Sequence, residues 1–397
     1  MGPPLNQGNT PNQTPAQANA QARALILATS VDMWQQIFAQ AFTPANQSIV
    51  NVPIVNVGLI KGFLIKVQGT IHNGDGALAL TRTELGASNV LSAVVFTDLT
   101  NTIRIQTTGW HLGLINSAKQ PLVFGGAYTP NVPVDYGNNW TVQSAPATIA
   151  FGADGVIQFY YYVPLAYSPT DLTGAMFASA INAQASLQLT INTTPCVAAG
   201  VDATLAMYSG TAAGVWKAGT TVTITVWQNY LDQLPRYQTQ PANAAYGPYI
   251  MPQIDLSNIY MLNNTAFSGL VVGQNFNIPY ANYRTFLSTC VIYDNAGVLN
   301  VGSDINYFAL LASNTTQIFN YGPNEAALFA RTTFMADPPK GVYYFSHRNA
   351  PIQTLNFGNM NLVVNPSAVT AGAGLLVAWE SIANVSQVQF AGALPNS

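Results

Sequence analysis

A proline-punctuated stretch near the middle of the chain, WQNYLDQLPRYQTQPANAAYGPYIMPQIDLSNIY over residues 227–260, limits how everything around it can fold. Proline has no N–H for a sheet ladder and holds the preceding residue out of the helical region. Pro235, Pro241, Pro248 and Pro252, with Gly247 among them, therefore forbid a regular element through this segment. Before it, Thr221, Thr223 and Thr225 alternate with Val222, Ile224 and Val226, the period of a half-buried strand. After it, IDLSNIY opens new apolar patterning. The expectation is two bodies joined by an extended linker that is semi-rigid where it carries proline.

A chain of 397 residues can give each body its own core. Hydrophobic residues make up 49% and charged residues 7%, against about 25% charged in an average soluble domain. Disordered chains have the opposite balance. A surface so poor in repelling charge suits a protein that packs against copies of itself. The twelve Lys and Arg residues are scattered, without the basic stripe that a phosphate backbone needs, which argues against direct nucleic-acid binding. Cys196 and Cys290 form no disulfide framework or zinc motif. The first residues lack a charged-then-apolar leader, and no apolar run is long enough to span a bilayer.

Residues 1–21 read as a flexible arm of Pro, Gln, Asn and Ala. In RALILATSVDMWQQIFAQAF, Leu27, Val31, Trp34 and Phe38 recur at helical spacing, and Ile26, Met33 and Ile37 widen the stripe. The spacing predicts an amphipathic helix ending near Pro44, docked on its own body, on a neighbour or on a membrane. From Gly58 onward β-branched and aromatic runs predict strands: GLIKGFLIKVQGTI, VLSAVVFT, TIRIQTTGWHLGLI, ATIAF, GVIQFYYYVPL and ASLQLTI. A helix is expected within SPTDLTGAMFASAINAQ, and long loops over 116–146 and 193–220. The second half repeats the theme with NYRTFLSTCVIYD, INYFALL, TQIFNYG, GVYYFS, IQTLNF, MNLVVN and GLLVAWES, and a helix near 324–333. Two such blocks, each with about seven or eight antiparallel-type strands, suggest an all-β chain of two eight-stranded jelly-roll β-sandwiches in tandem, with an N-terminal helix and short inserted helices; period and spacing alone do not separate a jelly roll from another Greek-key sandwich. The divisions fall at 1–45 (arm and helix), 46–235 (first roll), 236–250 (linker) and 251–397 (second roll and tail).

The three histidines, His72, His111 and His347, are too far apart for a ligand pair, and no nucleophile elbow, Walker or dinucleotide motif occurs. We expect no catalytic residue, no metal and no cofactor, and read His111 as structural. Most aspartates sit in turns. The rival readings are a glycan-processing enzyme with paired carboxylates across a cleft and a carbohydrate-binding module with an aromatic face.

The collinear segments FTPANQSIV, NVGLIKGFLIKV, TGWHLGLINSAKQ, APATIA, YYYVPLAYSPTDLTGA, YLDQLP, IDLSNIY, SDINYF, PPKGVYY and NFGNMNLVVNP resemble tectivirus major capsid proteins. The resemblance implies a double jelly roll of the adenovirus-hexon type, upright in an icosahedral shell as homotrimers of pseudo-hexagonal outline. It implies neighbouring trimers, minor capsid and vertex proteins and an internal membrane as partners. It implies a place in the virion shell after synthesis in the host cytoplasm. The shell- or membrane-contact residues are then Ile26, Leu27, Val31, Met33, Trp34, Ile37 and Phe38, and Pro235, Pro241, Gly247, Pro248 and Pro252 mark the inter-barrel linker.

Overall fold

The structure is a computed structural model that describes residues 15–44, 49–74, 78–83, 89–119, 145–168, 170–178, 184–198, 206–211, 213–217, 222–234, 237–238, 249–250, 256–299, 303–313, 315–334, 340–357 and 359–384. A helix, α1 (Pro15–Thr29), leads into β1 (Val31–Phe42), β2 (Ile49–Pro53), β3 (Leu59–Asn73), β4 (Leu91–Thr97) and β5 (Ile103–Thr107). Helix α2 (Gly109–Lys119) precedes β6 (Asp154–Pro164), β7 (Ser186–Ile191) and β8 (Val222–Asp232). The second half runs β9 (Asn258–Phe267), β10 (Phe276–Pro279), β11 (Arg284–Asp294), β12 (Ile305–Ala312) and β13 (Thr316–Tyr321). It ends with α3 (Pro323–Phe334), β14 (Val342–Ser346), β15 (Met360–Pro366) and β16 (Gly374–Asn384).

The strands of the first half are ordered β1-β8-β3-β6 and β2-β7-β4-β5, and those of the second β9-β16-β11-β14 and β10-β15-β12-β13. Each half thus places its first, eighth, third and sixth strands opposite its second, seventh, fourth and fifth. This is jelly-roll connectivity, found twice. Alternation in the sequence puts one face of each strand inside: Val222, Ile224 and Val226 of β8 are buried while the threonines between them are half-exposed.

The rolls share a sheet. Strand β5 pairs in parallel with β9, Ile105 opposite Leu262 and Gln106 opposite Asn263, so one sheet runs β2-β7-β4-β5-β9-β16-β11-β14. Strand β11 is consequently buried on both faces. Phe286, Val291 and Tyr293 join the second core, while Leu287, Cys290 and Ile292 join the apolar cluster that includes the first core. Both cysteines are free and buried.

Several expectations are corrected. The helix predicted through Phe38 stops at Thr29, and residues 31–42 form β1, zipped onto β8 from Val31 opposite Asp232 to Phe42 opposite Val222. A bulge at Ile37 interrupts its period of two, leaving apolar spacings that mimic a helix. GWHLGLINSAK is helix α2 rather than a continuation of β5; Trp110, Leu112, Leu114 and Ile115 are all buried, so no amphipathic period shows. No helix forms in the described part of 168–184. Asp171 instead accepts the Thr173 N–H in a turn, and Met176–Phe177 is a two-residue strand on β3. The 193–220 loop contains strands Cys196–Ala198, Tyr208–Gly210 and Gly214–Trp216. Within the linker, Tyr237–Gln238 pairs antiparallel with Tyr249–Ile250; Pro235, Pro241, Gly247, Pro248 and Pro252 lie outside the described residues, as do 120–144.

Phe308 anchors the second core, fully buried and 4.5 Å from Tyr343 between ring centroids. Phe308→Ala should lower the unfolding free energy by about 3–5 kcal/mol in a denaturant melt. A loss under about 1 kcal/mol would show that this core is not close-packed.

Candidate functional site, the seam between the rolls

Glu380 of β16 is the least accessible charge at the seam, with 0% of its side chain exposed. Its carboxylate accepts from Tyr260 Oη at 2.6 Å, Ser288 Oγ at 2.9 Å and Arg348 Nη2 at 2.8 Å. Lys119 Nζ, from the C-terminal turn of α2 in the first roll, lies 3.0 Å from Oε1, the oxygen that Tyr260 also reaches, while Ser288 and Arg348 hold Oε2. Lys119 also donates to the Tyr167 carbonyl at 2.9 Å and sits 4.1 Å from the Tyr260 ring centroid. Arg348 reaches back across the seam, donating Nη1 to the Ala118 carbonyl at 3.0 Å. Each roll therefore supplies a cation to one buried carboxylate.

Burial alone would raise the Glu380 carboxyl, but Lys119 and Arg348 outweigh it and hold the group below the ordinary carboxylate range. Burial pushes Lys119 down to about 8 even with Glu380 beside it. His111, at the start of α2, is fully buried with Nδ1 2.6 Å from Thr107 Oγ1 and no partner on Nε2 among the described residues. Burial drives it down to about 3, so it is neutral in the fold.

A second ion pair, within the first roll, positions a loop at the same junction. Buried Arg104 of β5 donates Nε to Asp98 at 2.7 Å and Nη1 to the Gly174 carbonyl at 2.8 Å. Gly174 has φ +89°, and a Cβ there would lie 2.4 Å from the Leu165 carbonyl oxygen and 2.8 Å from Tyr260 N. Only glycine lets this loop approach the second roll so closely.

The chain matches family models for the P3 major capsid protein, the N-terminal part over residues 5–234 and the C-terminal part over 257–394. It is 39% identical over 393 residues to the major capsid protein P3 of Enterobacteria phage PRD1, a tectivirus, covering 98% of this chain and 97% of that one. The chain belongs to the P3 major capsid protein family. Its fold is shared with a chain from the atomic structure of Sulfolobus turreted icosahedral virus, at TM-score 0.59 and 12% identity over 92% of this chain and 94% of that chain. PBCV-1 VP54, fitted into a reconstruction of the virophage Sputnik, superposes at TM-score 0.55 and 11% identity over 89% and 94% of the two chains. The glycan-directed readings find no support in this membership, and Glu380 has both oxygens engaged away from solvent.

The residues expected to form one contact stripe are not brought together. Ile26 of α1 is buried with Leu59, Ala166, Leu172, Ala175 and Leu231 of the first roll, with Leu27 half-buried beside them. Arg23 ties the same helix to Asp171 at 3.1 Å. On β1, Val31, Met33 and Trp34 are exposed, whereas Ile37 and Phe38 pack against the first core. The seam residues Lys119, Arg348 and Glu380 drew no attention in the sequence. The one available signal was a rare glutamate in an otherwise apolar strand, GLLVAWES.

Glu380→Gln in this P3-family chain should cost about 3–5 kcal/mol, since it leaves two buried cations facing a neutral amide. Lys119→Met should cost less than about 2 kcal/mol, because Arg348, Tyr260 and Ser288 still satisfy the carboxylate. Chemical denaturation ranks the two, and the reverse order would refute this reading of the cluster.

His111 gives a pH signature. Its folded pKa lies below its unfolded one, so the unfolded chain binds the extra proton and stability is complete only above about pH 6.5. Between pH 6.5 and 3 the group should remove about 1.4 kcal/mol per pH unit. Acid titration of the melting midpoint should be flatter in His111→Gln; parallel curves would place the acid sensitivity elsewhere.

Proposed function

We propose that the chain is the major capsid protein of an icosahedral virion, assembled as homotrimers of pseudo-hexagonal outline. The observation that carries this is the repeated roll joined edge to edge in one sheet. Three copies of such a chain present six similar towers, so a threefold object fits a site with six neighbours. The role is structural rather than catalytic: the most buried charges serve to fasten roll to roll.

For the domain division we propose a first roll that takes in β1, from Val31 to Asp232 instead of 46–235, then the linker, and a second roll whose strands run from Asn258 to Asn384 within 251–397; the pairing of β1 with β8 supports moving the first boundary. The tectivirus resemblance adds neighbouring trimers, minor capsid and vertex proteins and an internal membrane as partners, with synthesis in the host cytoplasm. Within the N-terminal region, the exposed Val31, Met33 and Trp34 carry the contact role, while Ile26 is committed to its own roll. Direct nucleic-acid contact is not part of the proposal.

Light scattering of the purified protein should give three times the 42.3 kDa chain mass. A folded monomer at high concentration would overturn the proposal.

A further inference from the structure

The two rolls correspond residue by residue through their bulges. In the first roll the ladder from β8 to β3 skips Lys61, passing from Asn229 opposite Gly62 to Tyr230 opposite Ile60. In the second, the ladder from β16 to β11 skips Leu287, passing from Glu380 opposite Ser288 to Ser381 opposite Phe286. Asn229 therefore corresponds to Glu380, and through their partners Trp34 corresponds to Leu262. Val31 and Met33 then match Ile259 and Met261. At the other edge, the β4–β5 ladder skips Arg104 and the β12–β13 ladder skips Ile318, so Ile105 matches Phe319 and Gln106 matches Asn320. Helices α2 and α3 begin at the same offset after these strands, which pairs Leu114 with Leu328 and Ile115 with Phe329.

Burial departs from this correspondence at the seam positions. Ile259, Met261 and Leu262 are buried, yet Val31 and Met33 are exposed and Trp34 is 44% exposed. Leu114 and Ile115 are 1% and 0% exposed, yet Leu328 and Phe329 are 58% and 45% exposed. The outer edges of β1 and β13 pair with no strand among the described residues. The apolar side chains are in place for a second seam, and what the chain lacks is the next roll to cover them.

We infer that β1 of one copy adds in parallel to β13 of the next, Trp34 opposite Phe319 and Gln35 opposite Asn320, with Leu328 and Phe329 covered by the same neighbouring roll. The occupant is a second copy of this chain, because the intra-chain seam shows which edge fits which: β5 takes β9, so its counterpart β13 takes the counterpart of β9. This rests on the trimer reading and specifies its interface. The contact is head to tail, and closing it after three copies leaves neither edge free. Its charges are satisfied within one roll: Asn229 donates to Asp32, which also pairs with the buried Lys61. The counterpart of Glu380 is Asn229 and that of Lys119 is Thr333, so no matching buried ion pair forms between copies.

The test is the full chain carrying Gln35→Cys and Asn320→Cys, oxidised and run on a non-reducing gel; the native cysteines are buried. Paired strands sit about 5 Å apart, within disulfide reach, whereas a displacement of three residues adds about 10 Å. Covalently linked trimers are expected from this pair, and none from either single variant or from Gln35→Cys with Gln317→Cys. Linkage through the displaced pair overturns the register. Light-scattering trimers without linkage in the folded variant overturn the interface and leave the trimer standing; a monomer removes both. Hydrogen exchange on the unmodified trimer guards against a variant that misfolds. Slow outward-facing amides in Val31–Phe42 and Thr316–Tyr321 are expected, and rapid exchange in both strands would overturn the inference.

Discussion

A carboxylate buried between two sandwiches ties them together when both supply its partners. Glu380 is ion-paired with Lys119 from the first roll and Arg348 from the second, and Arg348 in turn takes a carbonyl of the first. Taking such charges out of water costs several kcal/mol per ion, and mutual pairing offsets it only where the geometry is fully satisfied. The rolls are thereby fixed in one relative placement. Any slip along the seam would strand a charge in an apolar surrounding, whereas apolar packing alone would tolerate small displacements.

Around that constraint the remaining architecture follows. Parallel pairing of β5 with β9 turns two sheets into one and removes an edge from each roll. Strand β11 then lies between two apolar clusters, which is why Phe286 to Tyr293 are buried without alternation. Helix α2 fills the junction with Leu112, Leu114 and Ile115, and the tight glycine at 174 lets a loop close against Tyr260. In the proposed interface, the same set of parts on the second roll supplies the mating surface for another copy.

Much of this was legible in the sequence. Most of the long strands between Leu59 and Asn384 follow from β-branched and aromatic periodicity, although β10 and the short strands within 193–220 do not, and two bodies follow from the proline-rich middle segment. What escaped did so for physical reasons. Residues 31–42 carry apolar side chains at spacings that fit a helix, and only the ladder to β8 and the bulge at Ile37 decide for a strand. Helix α2 is buried on several faces, so its period is erased. Lys119, Arg348 and Glu380 come from distant parts of the chain, and no local pattern ties them together. The family resemblance carried the double roll correctly but is silent on these ties. Even the expected contact stripe dissolved into one helix that docks inward and one strand whose outer edge is open.

The most direct test of the account is a reconstruction of the assembled trimer at a resolution that separates strands. The account predicts six strand-to-strand seams around the ring: three within chains, with Ile105 beside Leu262, and three between chains, with Phe319 beside Trp34. A trimer in which β1 and β13 lie apart, each facing solvent or some other surface, would contradict it.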